Sequence, residues 1–191
     1  MVRYRRNFVS GGTFFLTATL ADRKSRVLTD HAAALRSAVK LTRKHRPFTI
    51  DAMVALPDHF HIIITLPEED ADFSNRLSLI KRRFTTAVLQ AGVTVARHPN
   101  GELELWQRRF WEHTIRDDKD FERHVDYVHF NPVKHNLVAR VRDWPYSSFH
   151  LYARRGLLPE DWAGDFGQDR RVLASGEFDP GFRCRSIRAN G

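Results

Sequence analysis

The feature that most constrains this chain is a switch of hydrophobic period, made and reversed along its first ninety or so residues. Apolar residues alternate at every second position in three short runs, and between those runs they recur at helical spacing. In residues 13–20, Phe14, Leu16, Ala18 and Leu20 share one face and Thr13, Phe15, Thr17 and Thr19 the other. This predicts a strand entered from a Ser10-Gly11-Gly12 turn. Phe48, Ile50, Ala52, Val54 and Leu56 form one apolar face of a second run; Phe60, Ile62, Ile64 and Leu66 form that of a third. The short Pro57-Asp58 connection makes these two an antiparallel hairpin. Residues 30–46 read as a helix that Thr29 or Asp30 can cap. Leu28, Ala32, Leu35 and Val39 supply its apolar spacing, basic residues crowd its negative end, and Pro47 stops it. A second helix, at about 73–91, buries Phe73, Leu77, Ile80, Phe84 and Val88 and presents Lys81, Arg82 and Arg83.

A fourth strand is predicted at 110–115 and a third helix at about 117–130, ending where Asn131 precedes Pro132. The order strand, helix, strand, strand, helix, strand, helix specifies an α+β protein. It fits a ferredoxin-like two-layer sandwich with an antiparallel sheet, its apolar face covered by the first two helices. The opposite face is left for function or for the third helix. A Trp144-Pro145-Tyr146-Ser147-Ser148 segment and a short helical stretch near 147–155 follow. Residues 1–155 form the expected domain, and 156–191 an extended, partly flexible C-terminal tail.

Charge narrows the partner. Thirty-one Lys and Arg stand against 23 Asp and Glu, a net +8, and such an excess favours a polyanion through release of its condensed counterions. The single cysteine, Cys184, excludes a disulfide framework and a cysteine-rich zinc site. No apolar run approaches the roughly 18–20 residues of a membrane span, and MVRYRRNFVSGG lacks the apolar region of a secretory signal. A cytoplasmic, nucleoid-associated protein with no membrane partner is expected.

Two constellations carry chemistry. His59 and His61 lie at i and i+2, so on a strand both imidazoles occupy one face while Phe60 enters the core. That is the face the first two helices leave uncovered. Two histidines with an oxygen ligand suit a catalytic Mg²⁺ or Mn²⁺ better than structural zinc, which prefers four closed ligands. On the third helix Phe121, Val125 and Val128 form the buried stripe, and His124, Tyr127 and Asn131 a polar one beside it. A phenol is a suitable nucleophile toward a DNA phosphate, because the phosphotyrosyl ester conserves the energy of the broken bond for rejoining. With a pKa of about 10 it needs help from a cation. Asn131, one turn beyond Tyr127, can supply the oxygen ligand beside His59 and His61.

Pro57-Asp58-His59-Phe60-His61, Tyr127-Val-His-Phe-Asn131-Pro132-Val133 and Trp144-Pro-Tyr-Ser147-Ser148, with Arg5-Arg6, Gly11-Gly12-Thr13-Phe14-Phe15 and Leu105-Trp106-Gln107, resemble REP-associated tyrosine transposases. These belong to the HUH single-strand transposase superfamily, and the resemblance spans roughly residues 3–152. It implies cleavage and rejoining of single-stranded or hairpin DNA, with repetitive extragenic palindromes as the substrate. His59 and His61 would be metal ligands, and Tyr127 would form a 5′-phosphotyrosyl link and release a 3′-hydroxyl. Asn131 stands where related enzymes carry a Gln or similar residue as third ligand, with His124 or His129 as alternatives. Either a monomer or a homodimer, with the tyrosine serving its own or a partner's histidines, is compatible with this pattern. For DNA binding the candidates are Arg3, Arg5 and Arg6, a basic arm; Lys81, Arg82 and Arg83, a helical patch; and Trp106, Arg108, Arg109 and Trp111, an aromatic-basic mixture. Two further readings stay open: a non-catalytic ferredoxin-like nucleic-acid binder, and a metal-dependent hydrolase using water in place of Tyr127.

Overall fold

The computed structural model describes residues 7–162. Arg3, Arg5, Arg6, Cys184 and most of the expected tail lie outside the described residues. The chain runs β1 (Thr13–Thr19), α1 (Val27–Asp30), α2 (Ala32–His45), β2 (Thr49–Ala55), β3 (His59–Thr65), α3 (Phe73–Gln90), β4 (Trp111–Thr114), α4 (Asp118–Lys134) and α5 (Phe149–Arg154), with a 3₁₀ turn at Val141–Asp143 before α5. The four strands form one antiparallel sheet in the order β2-β3-β1-β4. The entry turn into β1 forms as expected: Gly11 takes φ +66°, open to glycine at little cost, and its N–H donates to Asp70 O at 3.0 Å.

On one face, Phe14, Leu16 and Ala18 of β1 and Phe60, Ile62 and Ile64 of β3 pack against Leu35 and Val39 of α2 and Leu77, Ile80 and Phe84 of α3. All of these are buried; truncating one of the phenylalanines to alanine removes about 3–5 kcal/mol by cavity formation. Arg76 is 1% exposed in this layer and donates to Asp72 O, Pro47 O and Asp70 Oδ2 at 2.9, 2.8 and 2.7 Å, tying the start of α3 to two loops. Asp72 caps α3, accepting from Asn75 N at 3.0 Å. The opposite face is covered by α4, whose Val125 and Val128 meet Phe15, Ala52, Val54 and Ile63. The two-layer sandwich thus carries a third layer, the tyrosine-bearing helix.

Three local expectations are corrected. The helix expected at 30–46 divides at His31 into α1 and α2, and no side chain caps either start: the Thr29 hydroxyl donates instead to Arg26 O at 2.9 Å. The second strand does not keep one apolar face, because a bulge between Ile50 and Ala52 inserts Asp51 and reverses the alternation. Phe48 and Ile50 therefore face α2 and α3, whereas Ala52, Val54 and Leu56 face α4. The third helix does not stop before Pro132 but runs to Lys134. Proline this close to a helix end forfeits a single backbone hydrogen bond, and the burial of the Pro132 ring offsets that loss. Beyond α4, the Trp144–Ser148 segment runs along the outer edge of β2: Ala55 N donates to Tyr146 O, Ser148 N to Met53 O and Trp144 Nε1 to Ala55 O. It protects an edge strand that would otherwise expose its ladder.

Candidate active site

The sheet register sets the site. Within the face covered by α4, Val54 of β2, His61 of β3, Thr17 of β1 and Trp111 of β4 lie in one cross-strand row, with His59 opposite Thr19 in the next. The i, i+2 spacing places both imidazoles on this face, with ring centroids 4.9 Å apart. His59 and His61 are only 5% and 4% exposed. His59 Nδ1–H donates to Asp58 Oδ1 at 2.8 Å, and Asp58 is held in turn by Arg23 at 2.6 Å. His61 Nδ1 lies 2.7 Å from Thr17 Oγ1. Both Nδ1 atoms are thus engaged from the side, and the buried His61 Nε2 has no hydrogen-bond partner.

Asn131 comes to this point from α4. It is fully buried, and both its amide atoms lack a hydrogen-bond partner of good geometry, although it stands near enough to both imidazoles to favour their protonated forms. Burial outweighs that influence. It holds His59 below the ordinary histidine range and His61 well below it, so both rings are neutral at neutral pH. Buried, neutral imidazoles beside an unsatisfied amide oxygen form a donor set that fits a divalent cation.

Tyr127 reaches the same place. Its ring is 5.2 Å from that of His61 and 5.8 Å from that of Phe15, and Lys134 Nζ lies 5.0 Å from its centroid. Burial lowers the Lys134 pKa. His135, whose ring is 5.2 Å from that of His59, closes the other side. Neither Lys134 nor His135 was anticipated, although both follow directly in the Asn131-Pro132-Val133-Lys134-His135 run.

The alternative third ligands lie elsewhere. His129 is fully buried in a separate cluster, its Nε2 2.9 Å from Ser148 Oγ and its ring against Tyr152 and Phe149. His124 belongs to a second polar group that sequence reasoning missed. Ligand atoms of His113, Asp120 and His124 all lie within 4.8 Å of one another, close enough to hold a divalent metal. Asp120 Oδ2 accepts from His113 Nε2 at 2.7 Å and Arg116 N at 3.1 Å, and Asp120 Oδ1 accepts from Arg123 at 3.3 Å. Burial pushes this carboxyl up, but those bonds and the charges beside it bring it below the usual carboxylate range.

The expected DNA-contacting residues disperse. Lys81, Arg82 and Arg83 sit on α3, across the sheet from the histidines. Lys81 donates to Gln107 O at 3.0 Å and lies over the Trp106 ring, and Arg83 donates to Thr42 Oγ1 at 3.2 Å. Trp106 is a packing residue: its ring meets Phe60 and Phe84 edge-on and its Nε1 donates to Thr85 Oγ1 at 3.0 Å. Arg108 and Arg109 are exposed, Arg108 paired with Glu102 at 3.2 Å. Among the described residues no helix is long and apolar enough to cross a membrane.

Residues 12–131 match the family described as "Transposase IS200 like". A REP-associated tyrosine transposase of Escherichia coli (strain K12) is 46% identical over 177 residues, covering 91% of this chain and 100% of that protein. A solved structure of a REP-associated tyrosine transposase bound to a REP hairpin is 45% identical, covers 97% of this chain and 100% of its own, and superposes with a TM-score of 0.78.

Proposed function

Because this chain belongs to the IS200-like transposase family, and within it to the REP-associated tyrosine transposases, we propose that Tyr127 is its nucleophile, working beside His59, His61 and Asn131 on single-stranded or hairpin DNA. The observation that carries this reading is the convergence of a half-buried tyrosine ring, two buried neutral imidazoles and a buried, unsatisfied amide, from segments more than sixty residues apart in the chain.

In the proposed reaction the Tyr127 oxygen attacks the scissile phosphorus and loses its proton. The bond to the 3′ oxygen breaks and that oxygen takes up a proton from water, matching the one the phenol gives up, leaving a 5′-phosphotyrosyl link and a free 3′-hydroxyl; the reverse attack by a 3′-hydroxyl rejoins a strand. Lys134 Nζ over the face of the Tyr127 ring, 5.0 Å from its centroid, helps to hold the phenol beside the histidines. Asp58 and Thr17 orient the two imidazoles, so that Nε2 of each, with Asn131 Oδ1, would hold Mg²⁺ or Mn²⁺. When bound, the cation supplies Lewis-acid polarisation of the phosphate. Tyr127 lies against the histidines of its own chain, which supports use of the tyrosine in cis. Repetitive palindromic hairpins are the proposed substrate, on the strength of the related complex with a REP hairpin. Chromosomal DNA is then its place of work, with Arg3, Arg5, Arg6, Arg82, Arg108 and Arg109 the proposed phosphate contacts.

A second reading places the cation at His113, Asp120 and His124, favoured by how closely their ligand atoms approach. Arg116 and Arg123, both turned toward that carboxylate, oppose a further positive charge there.

The test is a labelled DNA hairpin incubated with Mn²⁺, with and without chelator, then denatured. Label should migrate with the wild-type chain only when the metal is present. Tyr127→Phe should bind the hairpin yet trap no label, and Tyr4→Phe, Tyr146→Phe and Tyr152→Phe should still trap it. Tyr152 donates to Asp51 O and burial pushes its hydroxyl up to about 12, which suits a structural role. Covalent trapping by Tyr127→Phe would overturn the assignment.

A further inference from the structure

Trp111 stands out among the large apolar side chains because it is 54% exposed yet sits in the row of the sheet that carries His61. Both residues lie opposite Thr17, one on either side, so two strand spacings separate them, about 10 Å between their backbones. The indole touches the site through one ring. Phe15 meets Trp111 edge-on at 5.4 Å and also contacts His61 at 5.2 Å and Tyr127 at 5.8 Å.

The orientation of the indole is supported from below. The rings of Trp111 and His113 are parallel to within 7° at 6.0 Å, and those of His113 and His124 to within 13° at 4.5 Å. Asp120 fixes this run, with His113 Nε2 bonded to its carboxylate and His124 Nδ1 to its main-chain carbonyl, each at 2.7 Å. Arg116 and Arg123, 74% and 44% exposed, stand at the same end of α4 and offer positive charge for a backbone phosphate. A core role explains neither the exposure of this tryptophan nor its alignment with two imidazoles. A stacking role explains both: a flat aromatic face held in place beside charge is what unpaired bases bind, whatever their sequence.

We infer that Trp111, backed by His113, is a stacking platform for one unpaired nucleobase flanking the phosphate that Tyr127 attacks. This rests on the single-strand reading given above. In that arrangement the base is gripped on β4 while its phosphodiester neighbour lies over β3 and α4, so the platform sets which phosphate reaches the phenol. Trp111 is then a positioning residue, acting on the substrate at one nucleotide's remove from the reacting atoms.

The experiment uses the full chain, a labelled DNA hairpin with single-stranded flanks that the wild type cuts, and a series of the same strand in which each flanking base is replaced in turn by an abasic site. Trp111→Ala should weaken binding of the intact strand about 10-fold, and Trp111→Phe, which keeps a ring, should recover most of it. At one flanking position the abasic strand should bind the wild type about 10-fold more weakly while binding Trp111→Ala no worse than the intact strand does. Thermal melting of Trp111→Ala close to wild type confirms that the change is local. An undiminished Trp111→Ala penalty on every abasic strand, or no penalty on the intact one, would overturn the platform. Covalent adduct formation by the wild type, read in parallel, separates the two claims: an adduct without coupling sinks only this inference, and coupling without an adduct sinks only the nucleophile.

Discussion

Asp58→Asn isolates the orientation of His59, one of the two histidines proposed to hold the cation. Asp58 is 14% exposed, accepts from His59 Nδ1 at 2.8 Å and is paired with Arg23 at 2.6 Å. The substitution keeps the size of the side chain and an acceptor oxygen but removes the charge, and the backbone bond from Leu20 N to Asp58 O at 2.8 Å is untouched. A hydrogen bond to a charged partner is worth about 1.5–3 kcal/mol, against about 0.5–1.5 for a neutral one. The difference of about 1–1.5 kcal/mol corresponds to roughly a 5- to 12-fold loss of affinity. Losing the carboxylate also makes the His59 ring less basic, which brings the expectation toward the roughly 10- to 100-fold range for partners of metal-bound histidines. Isothermal titration with Mn²⁺ should therefore show about 10-fold weaker binding at unchanged stoichiometry, and adduct formation restored by raising the metal concentration. Arg23→Ala, which leaves the carboxylate in place, should have a smaller effect. Unchanged Mn²⁺ affinity in Asp58→Asn would refute the claim that this carboxylate prepares His59 for a cation.

Arg76→Met should cost about 2–3 kcal/mol in urea unfolding, below the about 3–5 kcal/mol of a fully buried pair because the Asp70 side chain is 32% exposed. His129 is held at about 3 by burial, whereas the unfolded chain binds its proton from about 6.5 downward. The unfolded state therefore takes up the extra proton as pH falls through that window, and stability falls with it, by at most about 5 kcal/mol. His129→Phe should be less stable at pH 7 yet lose less on acidification from pH 7 to 4, as denaturation midpoints would show.

Much of this was legible because strands and helices write different periods. Phe14, Leu16 and Ala18, or Leu77, Ile80 and Phe84, declare their faces without help, and the His59-Phe60-His61 triplet places both imidazoles on the side opposite Phe60. Tyr127 and Asn131 were legible for the same reason, as neighbours one turn apart on a helix whose apolar stripe fixed its roll. What was missed depends on tertiary contacts. The bulge at Asp51 is bonded from outside the strand, by Thr65 Oγ1 and Tyr152 Oη, and no local pattern announces it. The rule that proline ends helices failed at Pro132 because packing, which a local rule does not contain, favours the continued turn. Trp106 and Trp111 look alike in an aromatic-basic stretch. Only the sheet register separates them, sending Trp106 against Phe60 and Phe84 while Trp111 remains in the row of His61. The His113, Asp120 and His124 group escaped notice because β4 and the first turns of α4 had to be brought together before its atoms could meet.

The proposed cation position lies between His59, His61 and Asn131, within reach of Tyr127. Crystals soaked in Mn²⁺ and measured at the manganese absorption edge test it directly. One anomalous peak should lie within coordination distance of the two Nε2 atoms and the Asn131 amide oxygen, and it should vanish in His61→Ala but persist in His113→Ala. A peak at His113, Asp120 and His124, with none between His59 and His61, would contradict the account.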